Sequence, residues 1–135
     1  MLEQQNTKLV QDAYGAFGRG DIAALLGYLD DSIVWETIHG ASPKIPTASK
    51  PWLGKSGVAE FFQVLAGEQT FQSFEPREFV AQGDTVVVLG HYESTITHNG
   101  KKYASDWVMV FTVSNGKITR FREYADSSAL NAAFA

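Results

Sequence analysis

Residues 106–126, DWVMVFTVSNGKITRFREYAD, constrain this chain more than any other stretch. Trp107-Val108-Met109-Val110-Phe111-Thr112-Val113 is dense in β-branched and aromatic residues, residues 117–124 alternate, and Ser114-Asn115-Gly116 lies between them. Asn-Gly supplies the positive φ angles of a tight turn, because glycine has no Cβ and asparagine tolerates the left-handed region. The stretch therefore reads as a β-hairpin.

Alternation then assigns the side chains to faces. Successive strand residues point to opposite sides, so Trp107, Met109 and Phe111 share one face. Phe121 shares a face with Glu123 and Thr119, while Arg120, Arg122 and Tyr124 take the other. If the two apolar sets line the same side, Glu123 is a lone carboxylate among rings and a thioether. A charge is costly there, its pKa rises, and such groups gather at functional sites. The other reading pairs Glu123 with an arginine at a sheet edge.

At 135 residues the chain is read as one domain, residues 1–135, large enough to bury a core. Three Trp, five Tyr and nine Phe are enough both to fill that core and to line a pocket. The net charge of −4 and pI near 5.3 leave no basic surface for nucleic acid or an anionic membrane, so neither is expected as a partner. The lack of cysteine excludes disulfides, a thiol nucleophile and thiolate-bound zinc. The three dispersed histidines form no metal motif, and there is no glycine-rich phosphate loop or Gly-x-Ser-x-Gly elbow, so neither metal nor cofactor is expected. Leu2-Glu3-Gln4-Gln5 shows neither a basic region nor an apolar run, and a cytoplasmic location is the default expectation.

Upstream, Leu9, Val10, Ala13, Tyr14 and Phe17 recur at helical spacing within residues 3–18, and Gly18-Arg19-Gly20 ends that helix. Asp21 is placed to N-cap a second helix running to about Leu29. Asp30-Asp31-Ser32 reads as a turn, and residues 33–39 as a strand with Trp35, Thr37 and His39 on one face. Residues 40–53 hold three of the four prolines and no periodicity, which predicts a long loop from which Trp52 folds back. Residues 56–66 read as a third helix capped by Ser56, with Val58, Phe61, Phe62 and Leu65 inward. Residues 71–82 read as a strand broken at Ser73 and Pro76, and residues 85–97 as another, whose Val86-Val87-Val88-Leu89 run suggests burial on both faces. Residues 127–134 form a short terminal helix. Helices followed by four long antiparallel strands make an α+β pattern: a curved antiparallel sheet with helices on one face, enclosing a cone open at one end.

Several of these segments together resemble one family. They are Gly20-Asp21, Ile33-Val34-Trp35-Glu36, the loop to Gly54, Phe61-Phe62, Gly83-Asp84-Thr85-Val86-Val87-Val88, Trp107-Val108-Met109-Val110-Phe111, and Gly116-Lys117-Ile118-x-Arg120-Phe121-Arg122-Glu123-Tyr124-x-Asp126. The chain is similar over nearly its whole length to the SnoaL-like, ketosteroid-isomerase-related branch of the nuclear-transport-factor-2-like superfamily. The resemblance implies a cystatin-like α+β barrel, a cone-shaped sheet covered by three helices from the N-terminal half with a short C-terminal helix, and a homodimer. Isomerases, cyclases, hydrolases and non-catalytic domains all share that fold.

By the same resemblance, the general base of the steroid isomerases falls at Thr37, their protonated acid near Met109, and their first-helix tyrosine near Ala13, beside Tyr14. Steroid-isomerase chemistry is therefore disfavoured. The SnoaL-like cyclases and limonene-type epoxide hydrolases place an essential acid in the last strand, at Glu123, and the cyclases place its partner at Met109, which exchanges no protons. His39 and Asp106 are the candidates for the missing partner. A loop-anchoring role for His39 and solvent pairing of Asp106 with Lys101 or Lys102 stand beside that reading, and His91 and Glu93 read as outward. The expectation is a small-molecule enzyme in which Glu123, His39 and Asp106 act on a small apolar carbonyl, enol or epoxide-like substrate. Tyr14, Phe17, Trp35, Thr37, Trp52, Phe61, Trp107, Met109, Phe111 and Phe121 would hold it. The alternative is a non-catalytic ligand-binding or assembly domain of the same fold.

Overall fold

The computed structural model describes residues 2–135. The chain runs α1 (Leu2–Gly18), α2 (Ile22–Gly27), β1 (Leu29–Glu36), a 3-10 turn (Pro46–Ala48), β2 (Trp52–Leu53), α3 (Gly54–Glu68), β3 (Gln69–Gln82), β4 (Thr85–Ile96), β5 (Lys102–Ser114), β6 (Lys117–Ala125) and α4 (Ser127–Phe134). The six strands form one sheet in the order β2-β1-β6-β5-β4-β3. The helices cover its inner face. Among the described residues, no helix is long and apolar enough to cross a membrane.

The hairpin forms as its turn residues demand, with Asn115 at φ 51° and Gly116 at φ 74°. Asp21 caps α2 by accepting from the Ala24 amide at 3.0 Å. Register shifts fall between Phe71 and Ser73 and between Pro76 and Glu78, where the two breaks in β3 are expected.

Four readings change. Asp30-Asp31-Ser32 is not a turn but part of β1, whose pairing with β6 shifts register between Leu29 and Val34. That pairing is parallel, so the sheet is antiparallel in every pair except this one. The third helix begins at Gly54, two residues early, and Ser56 makes no cap. Along β4, Val86 and Val88 are buried but Leu89 is 38% exposed: one face of the strand is covered, and only the β-branched content of the run suggested two.

Trp107 belongs to the core under the sheet's inner face, where it is 2% exposed and packs against Tyr14, Phe74 and Tyr92. Its indole lies across Gly90 of β4, where a Cβ would run into the Trp107 ring and the Glu75 carbonyl oxygen. Neither the backbone of β3 nor a ring locked between three others can retreat. Gly90→Ala is expected to lower stability by about 2–3 kcal/mol or more, read as an earlier midpoint in urea unfolding.

Candidate functional site

In front of Trp107 the cone holds a cavity of about 80 Å³. Its apolar wall comes from Phe17 of α1, Trp35 of β1, Phe61 and Phe62 of α3, Phe71 and Phe74 of β3, and Met109, Phe111 and Phe121 of the hairpin. Trp35 and Phe121 are partners across the parallel β1–β6 pair and stack at 3.9 Å between ring centroids, 21° from coplanar. Polar groups reach the cavity from Tyr14, Thr37, Thr47, Gln69, Tyr92, Tyr103 and Glu123. No Lys, Arg or His lines it among the described residues.

Glu123 faces inward. It pairs directly with Met109 across the hairpin and is 8% exposed. It meets no arginine: Arg120 turns to the outer face, where it bonds Glu36 at 2.9 Å. The Tyr92 hydroxyl, one strand beyond Met109, donates to Glu123 Oε2 at 2.6 Å. Burial pushes the Glu123 carboxyl up from its ordinary 4.5 to about 7; the Tyr92 bond pulls it down, and the charge of Glu68 adds to the rise. Tyr92 and Tyr14 are both driven well above the ordinary tyrosine range, first by burial and then by Glu123, so both remain proton donors. The Tyr14 hydroxyl donates to Met109 Sδ at 3.0 Å. A thioether is a weak acceptor, and that donor is easily recruited by a stronger one.

Eight of the ten side chains expected to hold a ligand line the cavity, seven of them as expected from their elements: Tyr14, Phe17, Trp35, Phe61, Met109, Phe111 and Phe121. Thr37 lines it too, but not from a strand; β1 ends at Glu36, and the Thr37 hydroxyl donates to the Thr47 carbonyl at 2.6 Å. Trp52 and Trp107 are core rather than wall. Trp52 folds back as expected, yet it is fixed by its indole N–H on the Thr47 carbonyl at 3.1 Å and packs edge-on against the outer side of Phe61.

Neither candidate for a catalytic partner reaches the site. His39 is exposed and stacks on Tyr124, an outer-face residue of β6, at 5.3 Å. The chain leaves the strand before His39, so alternation with Trp35 no longer applies to it. Asp106 stands on the outer face with its side chain 88% exposed and bonds His91 Nδ1 at 2.9 Å instead of a lysine. His91, bonded also to Glu93 at 3.1 Å, is raised above its ordinary pKa by those two hydrogen bonds. The polar site residues missed were Thr47, Gln69, Tyr92 and Tyr103, with the buried Glu68 that Thr47 bonds. Alternation already put Tyr92 opposite His91 and Glu93, and pairing β4 with β5 through Gly90 and Trp107 carries it to the inner face.

The raised Glu123 carboxyl has a consequence for stability. Between 4.5 and about 7 the folded chain holds a proton that the unfolded chain releases, so stability is greatest below 4.5 and is lost as pH rises through 7. Glu123→Gln removes that loss. The variant should match the parent near pH 4.5 and exceed it by up to about 3 kcal/mol at pH 8, measured by chemical unfolding at each pH.

Comparison with known proteins agrees with this architecture. A protein described as NTF2-like from Burkholderia xenovorans LB400 superposes with a TM-score of 0.87 at 33% identity, over 98% of both chains. TerC, co-crystallised with polyporic acid, gives 0.82 at 28% identity over 96% of this chain and 97% of its own. A candidate polyketide cyclase from Xanthomonas campestris pv. campestris gives 0.80 at 22% identity over 100% of both, which speaks to fold alone. A search of curated proteins returned no match. The SnoaL-like domain profile matches residues 10–121. With that match spanning most of the chain, on a cone-shaped α+β fold shared with NTF2-like neighbours, the chain belongs to the SnoaL-like family.

Proposed function

We propose that this protein is a small-molecule enzyme working by general acid–base catalysis, with Glu123 exchanging a proton with a compact, uncharged carbonyl, enol or epoxide-like substrate. One observation carries the reading: a carboxyl group buried beside an aromatic cavity, held by a tyrosine and by no cation among the described residues, and poised at about 7. At that value both its forms are populated at neutral pH, so it can take a proton and return one.

The other groups have parts to play. Tyr92 occupies Glu123 Oε2 and steadies the ionised form, which leaves Oε1 for the substrate. Tyr14 offers its hydroxyl to a substrate oxygen in place of the Met109 sulfur. The rings of Trp35 and Phe121 form a flat wall suited to a planar molecule. An engineered apolar cavity of ~150 Å³ admits benzene. A cavity of about 80 Å³ therefore fits a ligand of few atoms as it stands, and a larger one only when the rings or residues 37–51 give way. The relative co-crystallised with polyporic acid supports a small organic ligand in this fold.

Glu123→Gln is expected to lower turnover by on the order of 10²- to 10⁴-fold while substrate still binds. Tyr92→Phe, which removes the bond that lowers the Glu123 carboxyl, should move the matching limb of the pH–rate profile above 7. Full activity in Glu123→Gln would remove the proposed role of Glu123.

The reading includes a homodimer formed through the outer face of the sheet. Val80 and Leu89 are exposed there, next to half-buried Val87, Val108 and Val110. Light scattering should return twice 14.8 kDa; a monomer at all concentrations argues against it.

A further inference from the structure

Helix α3 ends at a second buried acid. Glu68 is 7% exposed, and no cation approaches it among the described residues. Its carboxylate is held by neutral donors alone. The Thr47 amide reaches Oε1 at 3.0 Å, the Thr47 hydroxyl lies 2.8–2.9 Å from both oxygens, and Gln69 Nε2 reaches Oε2 at 2.8 Å. Ser94 donates to Gln69 Oε1 at 2.7 Å and so fixes which end of that amide faces Glu68. The Thr47 carbonyl, in turn, accepts from Thr37 and from the Trp52 indole.

This cradle belongs to the cavity. Thr37, Thr47 and Gln69 all line it, and Glu68 bonds two of them, Thr47 and Gln69, from outside the lining. It is also what fastens residues 37–51, which have no strand or long helix of their own to hold them. The titratable groups around Glu123 are few. Tyr14 comes from α1, Tyr92 from β4 and Tyr103 from β5, all raised and neutral, while α2, β1, β3 and α4 contribute only uncharged side chains to the lining. After burial, the negative charge of Glu68 also contributes to the rise at Glu123. Position 109, opposite Glu123, carries a thioether, so the second carboxyl comes from a helix instead of the neighbouring strand.

We propose that Glu68 is a positioning residue of this site: through Thr47 it fastens residues 37–51 along the cavity, and it supplies the fixed negative charge against which Glu123 exchanges its proton. The proposal deepens the acid–base reading of Glu123 and rests on it. Two variants separate the halves of the role. Glu68→Gln keeps an acceptor for Thr47 but loses the charge; Glu68→Asp keeps the charge but is one methylene short of Thr47.

The test is a pH titration of the Glu123 side-chain carboxyl by ¹³C NMR, together with hydrogen exchange of the Thr47 amide, in the parent and both variants without substrate. In Glu68→Gln the Glu123 midpoint should fall by on the order of half a pH unit or more, with Thr47 still protected. In Glu68→Asp the midpoint should stay near 7 while the Thr47 amide exchanges at least tenfold faster. An unchanged midpoint in Glu68→Gln, or an equal fall in both variants, overturns the proposal. So does a Glu68 resonance in the parent that is protonated over the range in which Glu123 titrates, however the variants fold. None of these readouts involves turnover. Full activity in Glu123→Gln would remove the acid–base role of Glu123 without touching them, and their failure would leave that role standing.

Discussion

The register between β5 and β6 decides what kind of cavity this fold contains. The Asn115–Gly116 turn starts the pairing with Ser114 opposite Lys117 and Val113 opposite Ile118. A bulge then takes up Thr119, whose hydroxyl donates to the Thr112 carbonyl at 3.3 Å, and Arg120 meets Thr112. Without that extra residue Phe111 would face Arg120 and Met109 would face Arg122, placing two guanidinium groups in the cone and turning Glu123 out to solvent. A one-residue slip exchanges the faces of a whole strand. The bulge is therefore what makes the hollow apolar and acidic.

Inside such a hollow a carboxyl group is expensive when ionised, and the surroundings determine how expensive. Glu123 is offered one hydrogen bond from Tyr92 and nothing positive. Glu68, equally buried, is offered an amide, a hydroxyl and a side-chain amide. Burial outweighs the single bond from Tyr92 and leaves the Glu123 carboxyl above its ordinary value. The outer face follows the opposite plan. There Arg120 with Glu36, and His91 with Asp106 and Glu93, pair their charges within reach of water.

What could be read from the chain follows the range of the interaction involved. The Asn115–Gly116 turn, the Asp21 cap, the breaks at Ser73 and Pro76, and the inward face of Trp107, Met109 and Phe111 are set by neighbours within a few residues. Glu123 was legible because Phe121 shares its face at period two and Trp107, Met109 and Phe111 share one face of the other arm of the hairpin. Ile118 and Phe121, both buried at an odd spacing, carried the only sign of the bulge, and strict alternation put Thr119 in Ile118's place. Thr37 and His39 were misplaced because the strand stops at Glu36, where nothing in Ile33–His39 breaks the pattern. Trp107 was assigned to the pocket because an aromatic side chain has the same period whether it walls a cavity or plugs one, and Trp52 because an indole folding back from a loop can cover either a cavity or the core. Tyr92 and Glu68 needed contacts across three strands and from a helix end, 31 residues away from Glu123 in the first case.

The polar side of the site also explains the order in residues 37–51. Pro43, Pro46 and Pro51 cannot donate to a sheet ladder, and the segment has no apolar stripe with which to dock as a helix. It is fixed by side chains instead. Thr47 is tied to Glu68, the Ser42 amide donates to Asn131 Oδ1 at 2.7 Å, and Asn131 Nδ2 returns a bond to the Gly40 carbonyl at 3.2 Å. Ile45, wholly buried, fills the space between those ties. One of these ties is a buried carboxyl group whose partner, Thr47, lines the cavity, so a substitution at Thr47 changes both the anchoring of this segment and the lining.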